Sequence, residues 1–574
     1  MAGSTQKALR NTVAAIGLLT ALCSPAAAAS LSGDYLAARQ ASFMGDFKAA
    51  AEYYGRTIAY DSENPGLLER AVLANLSLGD LEHAIELAKD MTEKGYTSQI
   101  GHMAEIADMA ANERYAEMIE RAESETAIGP LVDGLLVGWS RLGQGDMTAA
   151  VNAFDTLAEE RGFATFAHYH KAMALASVGD FEGAEEIFAQ NLAGSMQFTR
   201  RAVMARAEIL SQLDRQDEAV AMIDEGFPPP MDPALAEMRE ELAAGEVLPF
   251  TYVNSPRDGI AEVFYTLAGA LSAEANDDFT LLYSRIAEYL RPDHAGAILM
   301  SANLLESLEQ YDLAVATYRK VPRDNPSYHA AELGRAEALR SEGRMDAAVE
   351  VLEQLASSHG DEATVQSALG DMMRQLERYQ EAIDAYSSAI SAFEPDNPGQ
   401  WFLWYARGIS KERLGNWEGA EEDLRQALEL NPDQPQVLNY LGYSLVEHEV
   451  KLDEALAMIE RAVSASPDSG YIVDSLGWAL YRMGQYEEAV THMERAAELM
   501  AVDPVVNDHL GDVYWAVGRT NEARFQWQRA LSFVDWEDAS DEVDPDRIRR
   551  KLKVGLSQVL AEEGKPPLEV AKRD

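Results

Sequence analysis

The chain has 574 residues, 96 of them acidic and 48 basic, for a formal charge of −48, with 47% hydrophobic residues and a single cysteine. That balance describes a folded chain rather than a disordered one, and beyond the N-terminus no run reaches the ~18 apolar residues of a membrane span. The acidic excess repels phosphate backbones and anionic lipid, so nucleic acid is excluded as an expected partner.

Residues 1–29 carry Lys7 and Arg10, an apolar run from Thr12 to Cys23, then Ser24-Pro25 and four alanines. This is the pattern of a cleavable secretory signal. Its core is too short to cross a bilayer, and Ala27-x-Ala29 supplies the small residues that a signal peptidase needs. The mature chain is expected to begin at Ser30. Lipid attachment at Cys23 is disfavoured, because a small residue should precede the cysteine and Leu22 stands there. Cleavage removes the cysteine, and with it disulfides, thiolate nucleophiles and Cys-ligated metal.

From residue 31 onward a phrase recurs in which a turn glycine is followed by a polar residue, an apolar one and an alanine. Gly45 and Gly79 are 34 residues apart, as are Gly145 and Gly179, and again Gly484 and Gly518. Glu309, Gly343 and Glu377 occupy the same slot at the same interval. Apolar residues fall at helical spacing on both sides of each turn, so each unit is expected to be two antiparallel helices. In the unit from Trp401 to Asp433, Gly408 lets the helices approach, Gly415 ends the first helix, Asn416 caps the second, and Ala420 and Ala427 mark close crossings. Gly442, Gly477 and Gly511 repeat the slot of Gly408. Six units are expected from 31 to 230 and eight from 260 to about 536, with those near Tyr115, Ala219 and Gly269 degenerate.

Between the arrays, residues 231–259 form a joint. Pro228 to Pro230 stop the sixth unit, Asp232-Pro233 starts a short helix to about Ala244, and Leu248-Pro249-Phe250-Thr251-Tyr252-Val253 cannot be helical throughout. An aromatic rather than Gly/Ser-rich segment favours a bend packed by Phe250 and Tyr252 over a hinge. Residues 537–574 comprise an acidic linker, a helix capped by Asp544-Pro545 that runs through about Leu560 and covers the last unit, and a tail.

These units resemble the tetratricopeptide repeat family. The resemblance implies an all-α superhelical solenoid of about 14 units in two arrays, with a C-terminal capping helix and a concave groove lined by first helices. Carrying over the family's groove positions gives Tyr405, Ile409, Glu412 and Arg413; Asn439, Tyr443, Val446 and Glu447; Asp474, Trp478, Tyr481 and Arg482; and Asp508, Asp512, Trp515 and Ala516. Aromatic rings there would bury a peptide, and Asn439 and Arg482 would bond an extended main chain. Packing of Tyr443 and Trp478 against the next unit is the competing reading.

Residues 435–535 further resemble exported repeat proteins of Gram-negative bacteria, among them a lipoprotein adaptor that holds a carboxyl-terminal processing protease and presents peptidoglycan hydrolases to it. The resemblance implies a periplasmic scaffold whose partners are other proteins or extended segments, such as a processing protease or a cell-wall enzyme. A structural part in polysaccharide export or outer-membrane biogenesis is the alternative.

Between the repeats no room is left for a catalytic domain, and the phosphate-loop, zinc-protease, nucleophile-elbow and calcium-loop patterns are missing from the sequence. His168 and His170, two apart, fall on different helix faces. The carboxylates from Asp535 to Asp546, ahead of the bases Arg547 to Lys553, are read as helix-dipole complements rather than a calcium site. No enzyme, cofactor or metal is expected.

Overall fold

A computed structural model describes residues 31–124, 128–191, 199–227, 231–272, 274–393, 397–534 and 543–568. The signal expected at residues 1–29, Pro228 to Pro230 and the acidic residues 535–542 lie outside the described residues. Every regular element among the described residues is helical. Six helix pairs run from Leu31–Phe43 to Gln216–Gly226, a single helix spans Pro233–Ala243, and eight more pairs run from Pro256–Leu271 to Thr520–Phe533.

The turn slots read from the sequence share one backbone conformation. Gly343 is left-handed at φ 85°, and so are Glu309 and Glu377, both at φ 58°. The helix crossings also depend on small residues. A Cβ on Gly408 would stand 3.1 Å from Leu424 Cγ, and on Gly511 2.4 Å from Trp527 Nε1. Ala420, Ala427, Ala455, Ala462, Ala489, Ala496, Ala523 and Ala530 are all sealed from solvent. Asn416 caps as its position suggests, its side chain accepting from Gly419 N at 3.2 Å.

The chain divides into two compact units, one up to Val351 and one from Leu352. The division therefore falls well beyond the 231–259 joint, and contacts inside the first unit explain why. Helices Pro256–Leu271 and Asp277–Leu290 pack across the first helices Pro65–Leu78, Gln99–Ala111, Pro130–Gly143 and Ala164–Ser177. Gly259 lies under Trp139, where a Cβ would come within 2.2 Å of the indole. Tyr169 Oη donates to Glu262 at 2.7 Å, and the Arg285 guanidinium donates to the Ser77 carbonyl at 3.4 Å. The surface that should line the N-terminal groove is thus taken by the chain's own next pair. Helix Asp277–Leu290 is buried on nearly every side, and its buried Arg285 is satisfied by donating to Glu288 at 3.0 Å and Thr317 at 3.2 Å.

The joint is packed. Phe250 and Tyr252 lie half-buried against the first unit's core, ring centroids 6.4 Å apart. Thr251 donates to Glu208 from its N–H at 2.6 Å and its hydroxyl at 2.8 Å.

In the second unit a core runs from Leu424 to Leu560. The expected single capping helix is two, Pro545–Val554 and Leu556–Glu562, broken at Gly555. Gly555 adopts φ 85°, and a Cβ there would stand 2.4 Å from the Trp515 indole. The reversal lays both short helices on the last repeat, with Leu556 fully buried and Leu560 nearly so. Asp544 caps as expected, accepting from Asp546 N at 2.9 Å and Arg547 N at 3.0 Å.

Candidate functional site

The carried-over groove residues all lie in the second unit, and the structure sorts them into three environments. Tyr443, Trp478, Tyr481, Arg482, Asp508 and Asp512 line one open pocket of about 710 Å³. The pocket also holds His509, Glu447, Glu449, Tyr486, and the chain's own Leu560 and Lys565 to Leu568.

Its aromatic wall is built by stacking. The Trp478 indole lies on His509 with centroids 4.0 Å apart at 14°, and on Tyr481 at 4.9 Å and 21°. Its Nε1 donates to Glu447 at 2.8 Å. Arg482 bonds Glu447 at 2.9 Å and Glu449 at 2.8 Å, so its guanidinium is already engaged rather than reaching for a main chain. Beneath the stack, His509 Nδ1 stands 3.0 Å from the Asp474 carboxylate. Burial disfavours the His509 cation, but the Asp474 charge outweighs it and holds the histidine above its ordinary 6.5.

The cap closes over a second group, Trp515 together with the pocket-lining Asp508 and Asp512. Lys551 Nζ, on the first capping helix, reaches Asp508 at 2.8 Å and Asp512 at 2.7 Å. Asp512 also accepts from Trp527 Nε1 at 2.9 Å. Trp515 Nε1 donates to Ser557 Oγ at 3.0 Å, and its ring covers Gly555. The carboxylates that gave this groove an acidic cast are therefore neutralised from within the chain.

Tyr405 and Asn439 form a third group, outside the pocket. Tyr405 packs edge-on against Tyr440, centroids 5.8 Å apart. Asn439 is buried and its Oδ1 has no hydrogen-bond partner among the described residues. A buried amide is not placed to bond an arriving main chain.

Carrying over groove positions missed His509, Lys551 and Arg547. Arg547 and Lys551 share the i, i+4 spacing of Asp508 and Asp512, but in so charged a chain that spacing marks a pairing only once the cap is folded onto the last repeat, with Arg547 3.7 Å and Lys551 2.7 Å from Asp512. The first unit holds a further cleft of about 810 Å³ at the joint, lined by Arg201, Glu208, Tyr252, Tyr265, His294 and Met300 among others. Under it, the fully buried Glu262 accepts from Arg201 Nε at 2.7 Å and Nη2 at 2.6 Å. His170 is fully buried and receives the Trp139 N–H at 3.1 Å, and burial lowers its pKa to about 4. Among the described residues no group of three or more His, Cys, Asp or Glu side chains is disposed to hold a metal ion.

Family models described as tetratricopeptide repeat match residues 35–95, 135–197, 299–358, 361–433, 405–470 and 472–500, together more than half of the chain. A TPR repeat-containing protein of Pseudomonas aeruginosa is 29% identical over 189 residues, 32% of this chain and 31% of that protein. A general transcriptional corepressor of Schizosaccharomyces pombe is 29% identical over 130 residues, 23% of this chain and 12% of its own. The chain spans less than a third of the length of either relative. Among solved structures, the APC/C hetero-tetramer Cut9-Hcn1 covers 92% of this chain and 97% of its own at 13% identity and a TM-score of 0.38. A tetratricopeptide repeat protein from Parabacteroides merdae covers 52% and 98%, at 16% identity and a TM-score of 0.35.

Proposed function

Because this chain belongs to the tetratricopeptide repeat family, we propose that it is a non-enzymatic interaction scaffold whose second unit takes up an extended segment of another protein in the pocket walled by Tyr443, Trp478, Tyr481 and Arg482. The observation that carries this reading is the state of that wall. Its rings are held rigid by one another and by His509, and Arg482, Glu447 and Glu449 are already paired. An arriving segment therefore buries apolar surface without stranding a charge, the condition under which an aromatic pocket binds well.

The scaffold works in the periplasm, and its partner is an envelope processing protease or a cell-wall hydrolase. Support for export is the pattern of Lys7, Arg10, the apolar run and Ala27-x-Ala29. Support for the partner class is the likeness of residues 435–535 to exported adaptors. Affinity capture from envelope extracts with the wild-type chain and with a Tyr443→Ala, Trp478→Ala variant tests both parts. The wild type should return such an enzyme and the variant, with helix content unchanged by circular dichroism, should not. Equal recovery removes the pocket from the proposal, and recovery of no envelope enzyme removes the partner class. Fractionation should find the chain in the periplasm with Ser30 as its first residue.

A further inference from the structure

One side of the pocket is bounded by the chain's own tail. Beyond Glu562 the backbone turns at Gly564, φ 71°, and Lys565, Pro566, Pro567 and Leu568 follow the pocket wall in neither helix nor strand. Their own chemistry dictates this. Each proline fixes its φ near −65° and pushes the residue before it out of the helical region, so Lys565 and Pro566 are confined to extended backbone. A Lys-Pro-Pro-Leu stretch is thereby preorganised as an extended ribbon before it touches anything, and loses little entropy on docking.

The surface beside it suits such a ribbon. Tyr443, Trp478, Tyr481 and Tyr486 line the same pocket, and flat aromatic walls are what proline-bearing extended segments dock against. Of the lining carboxylates, Glu447 and Glu449 are paired with Arg482 and Glu563 with Arg547, and Lys565 adds a longer-range attraction to Glu563. The hold is slight. Lys565, Pro566 and Pro567 are exposed, and only the half-buried Leu568 packs against the second unit's core. What keeps the segment in place is its tether, which supplies an effective concentration in the mM range.

We propose that this pocket reads extended segments of the Lys-Pro-Pro-apolar kind, that residues 565–568 are its resident occupant, and that a partner segment binds by displacing them. The inference rests on the reading of this pocket as the partner site and names the chemistry of what enters it.

The probe is a fluorophore-labelled hexapeptide with the chain's own residues 563–568, Glu-Gly-Lys-Pro-Pro-Leu. It is titrated by anisotropy into the full chain and into a variant carrying Pro566→Gly, Pro567→Gly and Leu568→Gly, with a deletion of 565–574 as the parallel variant. The expected results are at least tenfold tighter binding to both tail variants than to the wild type, and loss of that binding when Trp478→Ala is added. A peptide with both prolines replaced by alanine should bind at least tenfold more weakly. Equal affinity of wild-type and tail-altered chains overturns the resident occupant, and equal affinity of the two peptides overturns the proline preference. Absence of binding to the tail variants overturns both. No partner enters this experiment, so its failure is distinct from failure of the capture experiment, which alone decides whether the pocket serves a partner.

Discussion

Lys551 Nζ stands 2.7 Å from Asp512 Oδ1, the lysine side chain wholly out of solvent and the aspartate nearly so. Asp508 completes the arrangement at 2.8 Å, and these contacts fasten the cap to the last repeat. Without the lysine, Asp508 and Asp512 face each other with only the Trp527 N–H at 2.9 Å and Arg547 at 3.7 Å left on Asp512. Lys551→Ala should therefore destabilise the second unit by about 3–5 kcal/mol. Urea unfolding of the full chain followed by tryptophan fluorescence checks this. The triple variant Asp508→Asn, Asp512→Asn, Lys551→Met should recover most of the loss, whereas an equal loss in both variants would show that stranded charge is not its cause.

Gly511 is a contact point of the last repeat, since a methyl group there would meet Trp527 Nε1 at 2.4 Å and the Ala523 carbonyl at 3.2 Å. Alanine ordinarily favours a helix over glycine by about 0.5–1 kcal/mol. Overpacking against a fully buried indole outweighs that gain, so Gly511→Ala should be net destabilising by about 1–2 kcal/mol. A stabilised variant in chemical denaturation would mean that the helices separate at little cost.

The reverse holds at Glu309 and Glu377, which carry a side chain in the left-handed region at φ 58° where Gly343 carries none. A Cβ in that region costs about 1–2 kcal/mol, part of which glycine's larger loss of freedom on folding cancels. Glu309→Gly and Glu377→Gly should each stabilise the chain by up to about 1 kcal/mol, and Gly343→Glu should do the opposite. Midpoints of chemical unfolding, compared at constant slope, read the sign.

Burial pushes the Glu208 carboxyl up to about 7, against the opposing hydrogen bonds from Thr251. The folded chain thus holds a proton there that the unfolded chain has shed above about pH 4.5. Its contribution to stability is fully present below that pH and is lost as pH rises through about 7. Glu208→Gln, which carries no charge to bury, should match the wild type in thermal midpoint near pH 5 and exceed it at pH 8. Parallel profiles across that range would show that the carboxylate is ionised throughout.

The number of units, the slots of their turns and the small residues at their crossings were legible in the sequence, because each depends on chemistry that repeats every 34 residues. Gly408, Gly511 and the buried alanines fall where that spacing puts them. A helix pair touching only its neighbours is a local problem, and local periodicity answers it. Of the expected groove residues, Tyr443, Trp478, Tyr481 and Arg482 line one pocket, whereas Tyr405 and Asn439 lie outside it.

Tertiary structure alone decided what covers the concave faces. Arg285 reaches the Ser77 carbonyl across 208 residues of sequence, Tyr169 meets Glu262 across 93, and Lys551 meets Asp508 across 43. None of these separations is a multiple of the repeat. They arise where the chain stops stacking on its neighbour and turns back, at the packed joint and at Gly555. A repeat pattern records the faces that must be buried, and the return of distant chain decides which of them stay open to a partner.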